Sequence, residues 1–407
     1  MIRKLPNISI RDILIFSAPF TILLFVIILC IVTKSDQQFS NLAHSLLHGH
    51  TNFINSIPNR MGGDGVLWHG KYYWALGPFP AILLMPFVAL FSVFHIFFFQ
   101  GYLQVILIFG VLYFVYKLAR ILHYSNRESL ILSFGFALGS VFIGVAVSSV
   151  SWYFAQVLTT FLLFWSLYEF YTNRRWWLLG LICGLLFMTR TSAAAIIIFF
   201  VLELWFSTGQ IREKLIRLMH YCIPLLLAVS AWGFYNFIRF HNPLQEGYGL
   251  YQLLVPSLTR AKAYGIFGLI HVPGNLYAMF LSAPLPVFRD GISHVLKFPY
   301  IVDNRWGMSI FITSPYLVYL FWGGRSILKN QKARLLAAAV VSCAMICMYY
   351  GVGYSQFGYR YSLDFMPELF MIFMLLYRER HKHLTSSMIT VLVVTGIINF
   401  YLLLTFI

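Results

Sequence analysis

Apolar runs approaching twenty residues recur along this chain, and a helix of that length crosses the roughly 30 Å of bilayer hydrocarbon. The first reads I-L-I-F-S-A-P-F-T-I-L-L-F-V-I-I-L-C-I-V from residue 13 to residue 32. Sixty per cent of the 407 residues are hydrophobic and only 10% are charged, with a mean hydropathy of +0.77. A soluble domain carries roughly a quarter of its residues as charges, so a water-facing surface for a core of this size is missing. A β-barrel would show short alternating segments instead. The fold class expected is an all-α polytopic membrane protein.

The formal charge of +16 raises the question of nucleic acid. The basic residues, however, sit mainly in short clusters between apolar runs, which is the pattern of positive-inside orientation. We therefore expect no nucleic-acid partner. The five cysteines (Cys30, Cys183, Cys222, Cys343, Cys347) all fall within apolar runs. No disulfide framework follows from them, and there is no CxxC metal signal.

Helices are expected at about 12–32, 101–119, 129–147, 153–171, 177–189, 191–206, 218–237, 308–322, 334–350, 365–377 and 385–405. The N-terminus and the loops 117–127, 172–176, 207–217, 323–334 and 378–383 then hold 18 of the 29 lysines and arginines, and so lie in the cytoplasm. Counting a second span within 78–116 would put the 117–127 cluster on the wrong side. Residues 78–97, punctuated by Pro78, Pro80 and Pro86, are therefore read as a bent helix on the outer leaflet. This makes about 11 spans, with an uncleaved first helix, the N-terminus inside and the C-terminus outside. Residues 1–407 form one transmembrane unit with two long outer loops, 33–100 and 238–307. No soluble domain is expected, at the C-terminus or elsewhere.

The first outer loop carries two acids, Asp36 and Asp64, in a chain with only 13. Ser35-x-x-Gln38 is a capping-box pattern and Gly49 a natural stop. Between them Phe39, Leu42, Ala43, Leu46 and Leu47 make one helical stripe, which predicts an interfacial helix. At about 100° per residue Asp36 projects from its first turn toward that stripe. The plain alternative is that an acid there complements the helix dipole. Asp36, Asp64, Glu246, Asp290, Asp303, Asp364 and Glu368 fall on the outer side; Asp12, Glu128, Glu169, Glu203, Glu213 and Glu379 fall at cytoplasmic ends. Lys71, Arg190, Arg239, Arg260, Lys262 and Arg360 are the outer cations. Cations beside a few carboxylates at a membrane surface suit a lipid-phosphate substrate. Arg190 could equally pair with an acid from another helix, and Arg360 with Asp364. His44 and His48 share a helix face near His50 and His69, but an ordinary polar face explains them better than zinc.

Three stretches together resemble the C-type (GT-C) integral membrane glycosyltransferases, related to protein O-mannosyltransferases and aminoarabinose transferases. They are D-Q-Q-F-S-N-L-A-H-S-L-L-H-G-H with the following G-K-Y-Y-W-A-L-G-P-F-P-A-I-L-L-M-P-F, then Y-N-F-I-R-F-H-N-P-L-Q-E-G-Y, then G-Y-R-Y-S-L-D-F-M-P. The resemblance implies transfer of a hexosyl or pentosyl unit from a polyprenyl-phosphate donor on the outer face. The acceptor would be an envelope glycolipid, polysaccharide or protein, at a bacterial inner membrane. The family's loop aspartate maps onto Asp36 as general base, with Asp64 the second catalytic candidate of the loop. Lys71, Tyr72, Arg190, Glu246, Tyr248, Arg360 and Tyr361 would hold the substrate and its phosphate. The paired Asp-Glu of mannosyltransferase loops is absent, since Gln37 follows Asp36. No cofactor is assigned, and a divalent cation stays open. A lipid-linked-sugar flippase without catalysis is the alternative. It would need polar residues running through the helices to the cytoplasmic side, and these are few.

Overall fold

The computed structural model describes residues 10–54, 65–250 and 256–407, with side chains from residue 17 onward. Helix α1 (Ile10–Val32) leads through a short turn to α2 (Gln38–Leu47). A hairpin of β1 (Gly65–Trp68) and β2 (Lys71–Trp74) follows, then α3 (Phe79–Ser92). Next come α4 (Gln100–Ile121), α5 (Asn126–Leu138), α6 (Phe142–Ala146), α7 (Ser151–Tyr171), α8 (Trp176–Phe187), α9 (Ile197–Trp205) and α10 (Ile211–Phe240). The second loop holds α11 (Pro256–Lys262), α12 (Val272–Phe280) and a hairpin of β3 (Leu285–Phe288) and β4 (Leu296–Val302). The chain closes with α13 (Ile310–Thr313), α14 (Asn330–Met348), α15 (Met366–Arg380) and α16 (Ser386–Phe406).

Among the described residues, α4, α10, α14 and α16 are long and apolar enough to cross a membrane. Much of their apolar surface faces outward. On α10, Leu227 is 67% exposed and Phe234 65%, the kind of apolar surface a membrane covers. The protein is a helical membrane protein. Each of the other expected helical stretches also holds helix, but several differ from a simple rod. Residues 129–147 break into α5 and α6, because Gly139 caps α5 and the Ser140 hydroxyl turns back to the Phe136 carbonyl at 2.7 Å. Residues 315–328 wind as a 3-10 helix. The chain is not purely helical either, since both long loops carry two-stranded hairpins. Of residues 78–97, expected as one bent helix, 79–92 form α3, with Pro86 inside it, and 93–97 are not helical. Fourteen residues rise about 21 Å, short of a full crossing.

Packing is close where small residues allow it. On α8, Gly180 and Gly184 face α10 at the four-residue spacing that lets helix backbones meet. A Cβ at Gly180 would lie 1.9 Å from the Tyr221 carbonyl oxygen, and one at Gly184 would lie 2.4 Å from the Ala228 Cβ. The end of the bundle bearing the basic loops is tied by ion pairs. Glu169 meets Arg175 at 2.7 Å, Glu203 meets Arg334 at 2.7 Å, and Glu379 meets Lys332. Glu128 completes a capping box with Ser125 and accepts from the Leu384 amide at 2.6 Å. Of the acids assigned to that end, Glu213 makes an exposed pair with Arg217 at 3.4 Å, and the Asp12 side chain lies outside the described residues.

Candidate functional site

The helix ends opposite the basic loops surround a cavity of about 1050 Å³. Its polar wall includes Asp36, Arg190, Thr191, Ser192, Glu246, Tyr248, Arg360 and Tyr361. Its apolar wall includes Leu29, Ile266, Phe267, Met345, Ile346 and Phe406. Six of the residues singled out in the sequence therefore meet here, although they are scattered over more than 300 positions.

Asp36 does not open a helix. The capping box at Ser35 is not formed: α2 begins at Gln38, and its N-cap, Gln37, makes no side-chain cap. Asp36 sits before it in a left-handed conformation with φ 53°. That backbone is held by the N-termini of two core helices. The Asp36 carbonyl accepts from the Ser151 hydroxyl at 2.7 Å, the Ser151 amide at 3.1 Å and the Gln100 side-chain amide at 3.3 Å. Gln37 braces the same turn. Its Oε1 accepts from the Gln100 amide at 2.9 Å, and its Nε2 donates to the Ser149 hydroxyl at 3.4 Å. Helix capping chemistry could not win at Ser35 because these buried partners claim the turn. The carboxylate is left toward the cavity, where burial raises its pKa and a 3.4 Å contact from the Gln38 amide lowers it in part. The apolar stripe of α2 is buried at Phe39, Leu42 and Ala43, against protein rather than lipid, while Leu47 is exposed.

Arg190 follows the end of α8, and its guanidinium grips Asp364 with both forks, Nε to Oδ1 at 2.6 Å and Nη2 to Oδ2 at 2.8 Å. The Ser192 hydroxyl donates to the same carboxylate. The alternative of an acid partner for Arg190 is therefore the one realised, and an Arg360–Asp364 pair is not. Asp364 ends the 3-10 turn Arg360–Asp364, so this ion pair fixes that turn against α8. Arg360 is buried and has no carboxylate partner among the described residues. Its Nη1 donates to Gln156 Oε1 at 3.3 Å, and Nε has no hydrogen-bond partner. Both guanidiniums lie over the Tyr361 ring, Arg360 at 4.7 Å and Arg190 at 5.4 Å from its centroid. Such contacts orient the fork in a desolvated place. Glu246, in the loop after α10, accepts from the Thr191 hydroxyl at 3.4 Å; burial raises its pKa, and Thr191 and Arg239 pull it back in part.

Lys71 and Tyr72 do not line the cavity. Lys71 is exposed at the turn of the β1–β2 hairpin, and the Tyr72 carbonyl accepts the Phe53 amide at 2.9 Å. Asp64 lies outside the described residues. Among the described residues no three His, Cys, Asp or Glu side chains gather around a metal-sized space. The His44 and His48 rings lie 4.5 Å apart and tilted at 41°, and His48 Nδ1 contacts the His44 carbonyl. Of the other outer acids, Asp303 is buried without a hydrogen bond of ordinary geometry to either oxygen. Burial pushes its pKa up to about 7, and Arg305 and the Gly358 amide only partly oppose it. Glu368, one turn beyond Asp364 on α15, is also buried with both oxygens unpartnered. Sequence reasoning missed Ser151, Gln100, Gln156 and Ser192. The serines of S-S-V-S at 148–151, breaking an apolar stretch, were the available signal.

Fold and cavity define a helical membrane protein with an amphipathic pocket at one end of its bundle. No family model and no curated protein matches the chain. Three solved structures do, each at 13% identity and over 95% of this chain but 55% of the other. They are the Archaeoglobus fulgidus oligosaccharyltransferase in its apo form (TM-score 0.46), the same organism's oligosaccharyltransferase AglB with an inhibitory peptide and a dolichol-phosphate (0.42), and the first of these proteins tethered with an acceptor peptide (0.44). The chain spans about half the length of these proteins.

Proposed function

We propose that the chain is a membrane glycosyltransferase that moves a sugar from a polyprenyl-phosphate donor to an acceptor hydroxyl on the extracytoplasmic face. The observation that carries this reading is the single cavity joining an acid, Asp36, to a cationic wall around Arg360 and Tyr361, with an apolar wall beside them. A lipid-linked sugar phosphate needs all three.

In this reading Asp36 accepts the acceptor's hydroxyl proton as the oxygen attacks the anomeric carbon. A base within hydrogen-bond reach contributes roughly 10²–10⁴-fold. Its pKa, raised by burial, makes it a stronger base once ionised. The bond from the anomeric carbon to the donor's phosphate oxygen breaks, and its electron pair leaves with the lipid phosphate. Arg360, unpaired with any carboxylate among the described residues, stabilises that charge. Arg190 acts indirectly, since Asp364 already neutralises it, and holds the Arg360–Asp364 turn in place. Glu246 and Tyr248 face the sugar, and the apolar wall takes the first prenyl units.

The test is Asp36→Asn in reconstituted protein, with transfer followed by mass spectrometry of lipid extracts. The variant folds and inserts but forms no product. Undiminished transfer removes Asp36 from the role, and lipid flux across liposomes without any covalent product makes the chain a flippase.

A further inference from the structure

Most side chains of the β3–β4 hairpin are exposed. Ile292 at its tip is 90% exposed and Phe298 76%, and Phe288, Val295 and Tyr300 are exposed beside them. A two-stranded hairpin is marginal in water, and an apolar surface of this kind marks a partner or a membrane. Three observations on the hairpin select the membrane.

First, β4 packs against the C-terminal part of α16, where the Tyr401 hydroxyl donates to the Pro299 carbonyl and the Asp303 amide donates to the Thr405 hydroxyl at 2.9 Å. The outward side of α16 is itself apolar, with Ile397 and Leu404 nearly half exposed. The apolar surface of the hairpin continues the lipid-facing surface of that helix. Second, the hairpin carries Arg289 and Lys297 against one acid, Asp290. Asp290 is turned inward on the tip: Oδ1 accepts from the Ile292 amide at 2.9 Å and the Ser293 amide at 2.6 Å, and Oδ2 accepts from the Ser293 hydroxyl at 2.7 Å. The cations are thus left for anionic headgroups, and the Ile292 and Ser293 amides are satisfied without water. Third, both outer edges of a two-stranded sheet keep unpaired backbone groups, which hydrocarbon does not tolerate. That sets the depth at the headgroup layer.

We propose that the β3–β4 hairpin lies in the headgroup region of the bilayer beside the cavity end of the bundle, with Ile292 and Phe298 directed into lipid and Arg289 and Lys297 on anionic headgroups. It anchors the second long loop, whose residues Ile266 and Phe267 line the cavity. The inference stands on the hairpin and α16, whatever the cavity catalyses.

The test uses the full chain in nanodiscs of equal parts phosphatidylcholine and phosphatidylglycerol. Nitroxide labels are placed by Ile292→Cys and, as an independent second site, Phe298→Cys. Gln210→Cys serves as the aqueous reference and Ile397→Cys as the lipid reference, with the parent's label background subtracted. Power-saturation EPR compares collisions with oxygen and with a water-soluble nickel chelate. The expected oxygen-to-nickel ratio at both tip sites is several-fold above Gln210 and below Ile397, in variants that melt at the parent's temperature. A ratio equal to that of Gln210 overturns the proposal. Exclusion of both reagents also overturns it, because the hairpin is then covered by protein.

Discussion

Asp364→Asn tests the element that orders the cavity's cationic wall. The substitution keeps the shape of the side chain and removes its charge, leaving the Arg190 guanidinium, 14% of whose side chain is exposed, without its ion-pair partner. Breaking a buried ion pair from one side costs about 3–5 kcal/mol. The asparagine carbonyl can still accept one of the three donors now on Asp364, so the lower end, about 3 kcal/mol, is expected. That is a large share of a total stability of roughly 5–15 kcal/mol. Arg190→Met should cost a similar amount by stranding Asp364. The Asp364→Asn/Arg190→Met pair should lose clearly less than the sum, because neither charge is left alone. The assay is reversible unfolding in mixed micelles, followed by tryptophan fluorescence across the four-member cycle. A loss below about 1 kcal/mol for Asp364→Asn, or additive losses in the double variant, would refute a structural role for the pair.

Other outcomes follow from the same geometry. Ser151→Ala removes the 2.7 Å bond to the Asp36 carbonyl and the acceptor of the Gln38 amide. It should cost about 1–3 kcal/mol and lower kcat with little change in donor KM, because the turn rather than the phosphate wall is loosened. Arg360→Lys should raise donor KM nearly as much as Arg360→Gln, since the ammonium lacks the planar fork that Tyr361 and Gln156 orient. Asp303 titrates near 7 when folded, above its ordinary value. The native state therefore binds the extra proton between about pH 4 and 7, and stability falls as pH rises through that window. Asp303→Asn should flatten this fall, measured as melting temperature against pH; an unchanged slope would place the carboxylate in water.

Much of the candidate site was legible because ionised groups are costly near hydrocarbon, so each one in an apolar sequence stands out. Asp36, Arg190, Glu246 and Arg360 were visible on that ground alone. Their partners were not. Asp364 lies four residues from Arg360, which suggested a local pair, yet the 3-10 turn directs its carboxylate across to Arg190. Ser35-x-x-Gln38 reads as a cap, yet Ser151 and Gln100, more than sixty residues away, hold the turn in another conformation. Local hydrogen bonds lost to buried, water-free ones made by tertiary packing.

By itself the sequence determined that this is a helical membrane protein, because apolar run length and the clustering of cations answer directly to bilayer thickness and charge. It also located the helical stretches, since period and length are local properties. The tertiary structure alone decided which charges neutralise one another and that, among the described residues, Arg360 is left on the cavity wall without a carboxylate partner. It also decided that α3 stops short of a crossing and that a hairpin stands exposed beside α16. Those outcomes depend on which helix ends meet, and contacts between distant segments leave no periodic trace in one chain.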